Sequence, residues 1–96
     1  MEKNASIFVS VIIPVFNDQD GLTRCLKFID KQTYPLRLIE VIVVDNGSAP
    51  SITLSSSYGF SVKLIKCEKP GSYAARNAGV KIATGDVFAF TDADCW

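Results

Sequence analysis

The apolar pattern switches repeatedly between two periods, and that alternation is what most limits the folds open to the chain. Phe8-Val9-Ser10-Val11-Ile12-Ile13-Pro14-Val15 is a nearly unbroken, β-branched run, as in a strand covered on both faces. From Asp20 to Gln32 the period changes: Leu22, Cys25, Leu26 and Ile29 fall on one helical stripe, with Asp18 or Asp20 to cap it. Ile39-Glu40-Val41-Ile42-Val43-Val44-Asp45 is a second covered strand, closed by the turn residues Asn46-Gly47-Ser48. Ala49 to Phe60, rich in serine, reads as a loop with at most a short helix. Val62 to Cys67 mixes lysines into its apolar residues, as an edge strand does. Pro70-Gly71-Ser72 breaks the chain, and Ser72 is expected to cap a helix to about Ala83 whose inward stripe is Ala75, Ala78, Gly79 and Ile82. Thr84-Gly85-Asp86 stops that helix, and Val87 to Thr91 forms the fourth strand.

Strands and helices that alternate through short loops imply parallel pairing by right-handed crossovers. The expected fold is α/β: a three-layer, Rossmann-like open sheet, mainly parallel, of strand order 3-2-1-4, in one domain over residues 1–96. Its switch point lies between strands 1 and 4, and ligands bind beyond the carboxyl ends of strands at such a point. Three loops meet on that rim: Pro14-Val15-Phe16-Asn17-Asp18, Val44-Asp45-Asn46-Gly47-Ser48 and Asp92-Ala93-Asp94. Asp92 and Asp94 flank one residue, so in an extended segment both carboxylates face the same way and can hold a hard divalent cation.

Ten acidic and ten basic residues cancel, so no basic excess points to a nucleic acid polymer. There is no histidine, which excludes His-based triads and His metal ligation within these 96 residues. Cys25, Cys67 and Cys95 are odd in number and share no CxxC spacing, so reduced thiols are expected rather than a disulfide framework or a zinc site. Met1 to Ser6 lacks the apolar core of a signal peptide, and no apolar run approaches the roughly 20 residues of a spanning helix. A cytoplasmic location follows as the expectation, at most against the inner face of the membrane in a longer protein. No GxGxxG follows strand 1, against a dinucleotide-dependent enzyme. Nor is Phe16-Asn17-Asp18-Gln19-Asp20 the glycine-rich loop that a sugar nucleotidylyltransferase needs there.

Several motifs in order carry a resemblance. Val9 to Asn17, Gln32-Thr33-Tyr34-Pro35, Glu40 to Ser48, Ala75-Arg76-Asn77-Ala78-Gly79 and the closing Asp-x-Asp together resemble the N-terminal, nucleotide-sugar-binding half of the family 2 glycosyltransferases, which have the GT-A fold. The resemblance implies that Pro14, Val15 and Phe16, with Asn17, lie along the nucleobase. It implies that Asp45, beside Asn46 and Gly47, accepts a hydrogen bond from the imide N–H of the base, that Arg76 serves the diphosphate, and that Asp92 reaches the ribose or shares the metal. Asp94 would be the main ligand of a Mg2+ or Mn2+. From the residues alone, Phe16 also suits a rim or core aromatic, Asp45 the start of an Asx turn with Asn46-Gly47, and Arg76 a solvated helix face.

The function so implied is metal-dependent transfer of a sugar from a nucleoside diphosphate sugar, UDP-linked, to an acceptor saccharide, lipid or protein that the residues do not specify. No catalytic residue is expected within the chain, because the carboxylate base of the family lies beyond Trp96. The fragment alone is then expected to be inactive. The alternative is a non-catalytic nucleotide-binding or regulatory α/β module. Val87-Phe88-Ala89-Phe90 carries no lysine, proline or inward charge and is ill suited to an open edge. A truncated sheet is expected from it, and pairing of two copies into a homodimer through that edge.

Overall fold

The computed structural model describes residues 7–54 and 57–93. Along the chain run β1 (Val9–Val15), α1 (Gln19–Asp30), a 3-10 turn (Leu36–Leu38), β2 (Ile39–Asp45), β3 (Ser61–Lys66), α2 (Ser72–Ile82) and β4 (Val87–Phe90). The four strands form one sheet in the order β3-β2-β1-β4, and each neighbouring pair is parallel, as the sequence predicts.

Two helices on opposite faces explain the continuous apolar strands. Val11, Ile13 and Val15 of β1 and Val41 and Val43 of β2 pack with Leu22, Cys25, Leu26 and Ile29 of α1. The alternate residues Ile12, Ile42 and Val44 pack with Ala75 of α2 on the other face. Every residue of β2 is buried, which makes it the centre of the fold. Burying a side chain such as Leu22 or Ile12 is worth about 1.5–3 kcal/mol. On α2 the approach is close: a Cβ on Gly79 would lie 2.6 Å from Ile12 Cγ2. Ile52 and Phe60 in the connection from β2 to β3 are also buried, so that loop supplies core residues despite its polar composition.

Asp18 caps α1, its carboxylate accepting from Gly21 N at 3.0 Å. Ser72 does not cap α2. It is the first helical residue; Gly71 stands at the cap with φ 104° and no side-chain capping bond. A backbone angle that glycine adopts readily makes this turn, which a search for a Ser or Asp cap misses. β3 is an edge with Ser61, Lys63 and Lys66 exposed, as its lysines predict.

β4 lies at the open edge that the order 3-2-1-4 gives it, and all four of its residues are exposed. The two clusters that pack the helices onto the sheet draw on β1 and β2, with Val62, Leu64 and Ile65 of β3 packed against them, and include no residue of β4. Phe88 and Phe90 pair in register with Ser10 and Ile12, on the α2 side of the sheet, yet remain 40 % and 49 % exposed.

Near the amino ends of β1 and β2 lies a buried polar knot. Glu40 accepts from Ser10 Oγ at 2.6 Å, Thr84 N at 2.8 Å and Thr84 Oγ1 at 3.1 Å, and Lys63 Nζ lies 3.5 Å away. Ser10 Oγ in turn accepts from Gly85 N at 2.8 Å. Burial alone would raise the Glu40 pKa; the bonds from Ser10 and Thr84 and the charge of Lys63 outweigh it and leave it lowered. This knot ties the α2–β4 connection to the sheet. No helix among the described residues is long and apolar enough to cross a membrane.

Candidate functional site

At the carboxyl ends of β1, β2 and β4 the chain forms an open cleft of about 350 Å3. Pro14, Val15 and Phe16 line it from the end of β1, Pro70, Gly71 and Ser72 from the β3–α2 connection, and Asn46 and Asp92 complete it. Pro14 and Val15 are buried, whereas Phe16 is 62 % exposed and presents its ring at the rim. An adjoining recess of about 320 Å3 shares Pro14 to Phe16, Ser72 and Asp92 and adds Asp18, Arg76 and Ala93. The sequence-predicted residues Pro14, Val15, Phe16, Asn46, Arg76 and Asp92 thus meet in one connected space, at the switch point between β1 and β4.

Arg76 lies in the second turn of α2 and pairs with Asp92, Nη2 to Oδ1 at 3.3 Å. Both side chains are well exposed, at 38 % and 52 %, so the pair adds little to stability and each partner remains accessible to a ligand. Ser72 Oγ accepts weakly from Arg76 Nη1 at 3.5 Å, on the same helical face.

Asp45 is 2 % exposed and makes the Asx-type turn that its position at a strand end allows. Its Oδ1 accepts from Ser48 N at 2.9 Å and its Oδ2 from Ile52 N at 3.0 Å. Burial would raise its pKa, but the bonds from Ile52 and Ser48 and the charge of Lys66 prevail, so the carboxylate stays ionised and its pKa is lowered. A small cavity of about 190 Å3 adjoins it, bounded by Gly47, Ser48, Ser51, Lys66, Cys67 and Glu68. Gly47, at φ 88°, belongs to that cavity and not to the main cleft.

Asn17 likewise lines neither part of the cleft. It sits at φ 52°, its N–H donates to Ser48 Oγ at 2.9 Å, and its Oδ1 accepts from Ala49 N at 2.8 Å. These bonds join the β1–α1 loop to the β2–β3 loop. Asn46 reaches the other way: Nδ2 donates to Cys67 O at 3.0 Å and Lys69 O at 2.8 Å, and Oδ1 accepts from Gly71 N at 3.1 Å.

Two contributors escaped the sequence reading. Pro70, Gly71 and Ser72 carry a turn signal that marks the start of α2, but only the folded chain turns them toward Pro14. Ser48, acceptor for Asn17 and donor to Asp45, had no signal beyond turn composition.

For a divalent cation, the exposed Asp92 carboxylate is a hard oxygen donor of the type that Mg2+ and Mn2+ take. Among the described residues no group of three or more His, Cys, Asp or Glu side chains could enclose a metal. Asp94 lies outside the described residues. A cation here would fit as one shared between Asp92 and ligand oxygens.

Comparison with known proteins agrees with this geometry. The family model described as glycosyl transferase family 2 matches residues 10–96. Glycosyltransferase AglE of Haloferax volcanii is 45 % identical over 93 residues, covering 92 % of this chain and 31 % of its own. Among solved structures, mannosyltransferase PcManGT of Pyrobaculum calidifontis, in complex with GDP-Man and Mn2+, superposes with TM-score 0.75 at 26 % identity, over 97 % of this chain and 30 % of that one. S. aureus TarS 1-349 in complex with UDP-GlcNAc gives TM-score 0.72 at 27 % identity, over 92 % and 27 %. The chain therefore spans about a third of the length of these proteins.

Proposed function

Since the chain belongs to glycosyl transferase family 2, we propose that it supplies the donor-binding face of an enzyme that moves a sugar from a nucleoside diphosphate, uridine-linked, to an acceptor. The observation that carries this is the meeting of an apolar wall, Pro14 to Phe16, with the Arg76–Asp92 pair in one cleft at the sheet's switch point. A nucleoside diphosphate has the matching parts: a flat base and a doubly anionic tail. Phe16 presents an aromatic face to the first, and the planar fork of Arg76 suits the oxygens of the second.

Asp45 is the proposed base contact. The carboxylate already accepts from the N–H groups of Ser48 and Ile52 and from the Ser48 side chain, which leaves about one of its four acceptor positions for the base, and the lowered pKa keeps it ionised at neutral pH. Asn17 and Gly47 act by holding the loops in place rather than by touching the nucleotide. Asp92, with Asp94, would hold a Mg2+ or Mn2+, which supplies Lewis-acid stabilisation of the departing diphosphate. The family resemblance puts the carboxylate base for the acceptor hydroxyl outside these 96 residues, so the chain by itself is proposed to bind donor without transferring sugar. Two copies are proposed to pair through β4, and the chain to work in the cytoplasm.

Titration calorimetry of the 96-residue chain with uridine diphosphate, with Mn2+ and then with EDTA, tests the proposal. Weak binding strengthened by Mn2+ is expected, because an open cleft buries the nucleotide incompletely. Equal binding under both conditions would remove the metal, and no binding in either would remove the donor assignment. Guanosine diphosphate in the same cell tests the choice of base.

A further inference from the structure

We infer that Asn46 is a positioning residue, which aims α2 and Arg76 at the diphosphate without touching it; the inference rests on the donor-binding assignment above. Its side-chain amide is committed to backbone. Both Nδ2 hydrogens go to carbonyls, of Cys67 and Lys69, and Oδ1 takes the N–H of Gly71. Its own N–H donates to Val15 O at 2.9 Å, which anchors the residue to β1. One side chain therefore bridges the rigid end of β1 and β2 to the whole β3–α2 connection.

That connection has little else to define it. Between Cys67 N, which donates to Asp45 O, and Ala75 N, which donates to Gly71 O, the bonds found among the described residues besides those from Asn46 are two long contacts of 3.5 Å, Cys67 Sγ to Lys69 O and Arg76 Nη1 to Ser72 Oγ. Gly71 stands at the cap of α2 with no side-chain capping bond, and its N–H is the group that Asn46 holds. Ser72 follows directly, and Arg76 lies one turn further on. Where Asn46 places Gly71 therefore decides where the helix starts and where the guanidinium reaches. The site requires two donors and one acceptor from a single short side chain. An asparagine amide provides that set; an ionised aspartate provides acceptors only, and alanine provides neither.

The Asn46→Ala and Asn46→Asp variants of the full chain, titrated with uridine diphosphate and with uridine, test this alongside thermal melts. At about pH 7.5 both variants are expected to lose about tenfold in affinity for the diphosphate relative to wild type, the scale of one lost hydrogen bond, and a clearly smaller factor in affinity for uridine. A side chain that merely stabilises the loop would lower the melting temperature and change both affinities equally, or neither; that outcome overturns the inference. Failure of the wild type itself to bind either ligand identifies the donor assignment as the fault and takes the inference down with it.

Discussion

Asp45 illustrates how one carboxylate meets a structural and a chemical demand together. Its two oxygens hold the N–H groups of Ser48 and Ile52, so removing it leaves buried donors without partners. Asp45→Ala should therefore lower stability by about 1–3 kcal/mol in urea unfolding, whatever it does to the nucleotide. Asp45→Asn retains an acceptor oxygen for one loop N–H, and is the better probe of the base: weaker uridine binding by a stably folded variant is expected, and unchanged binding would refute the base contact. Arg76 and Asp92 present the opposite case. Both are exposed, so Arg76→Ala should leave stability nearly unchanged and weaken uridine diphosphate but not uridine. Titration alongside a urea curve separates these expectations. The pKa values of Glu40 and Asp45 are lowered in the folded chain, so the stability that they contribute is fully present above their ordinary values, 4.5 and 3.8. It is lost as pH falls through the folded values. The melting temperature should be level from neutral pH to about 5 and drop below about 4, a drop that Glu40→Gln should make shallower.

Among the elements, strands and helices were legible because burial imposes a period on apolar residues: Ile39 and the unbroken run Val41 to Val44 for β2, and Leu22, Cys25, Leu26 and Ile29 for α1. What holds the loops was not legible. Asn46 bonds to residues 21 to 25 positions away, and Asn17 to residues 31 and 32 away, and such pairs of amide and backbone leave no local pattern. The same holds for the cap of α2, set by the backbone of Gly71, and for Glu40, which reads as one polar interruption in an apolar strand until Ser10 and Thr84 are folded onto it. Gly79 connects this scale to the site. A methyl group there would meet Ile12 at 2.6 Å and Val44 Cγ2 at 3.4 Å, so Gly79→Ala must move α2 outward or displace the core of the sheet. A cost of about 1–3 kcal/mol is expected from overpacking. Because α2 carries Ser72 and Arg76, affinity for the diphosphate should fall with it. Crystal structures or amide chemical shifts of the variant would show whether the helix moved, and a variant as stable as wild type would refute the close contact.

For the molecule as a whole, the sheet is asymmetric. One edge, β3, carries lysines on its exposed positions; the other, β4, exposes Val87, Phe88 and Phe90 with neither helix packed over them. Open strand edges recruit partners through unpaired backbone groups, and lysine is one of the devices that discourages this. The first edge has that device and the second lacks it. The simplest closed arrangement is a two-fold pair with β4 of one copy antiparallel to β4 of the other, which makes one continuous sheet and covers the aromatic side chains at the seam. Light scattering at tens of micromolar should find the 96-residue chain as a dimer, and Phe88→Lys or Phe90→Lys should return it to monomer. Both positions are exposed, so the variants should keep the circular dichroism of the fold. The β4 edge is remote from the carboxyl-end cleft in its first residues but leads through Thr91 into Asp92, so pairing should also steady that aspartate. Nucleotide affinity that rises with protein concentration in the wild type, and not in Phe88→Lys, would connect association to binding; a wild type monodisperse as a monomer would refute the pairing.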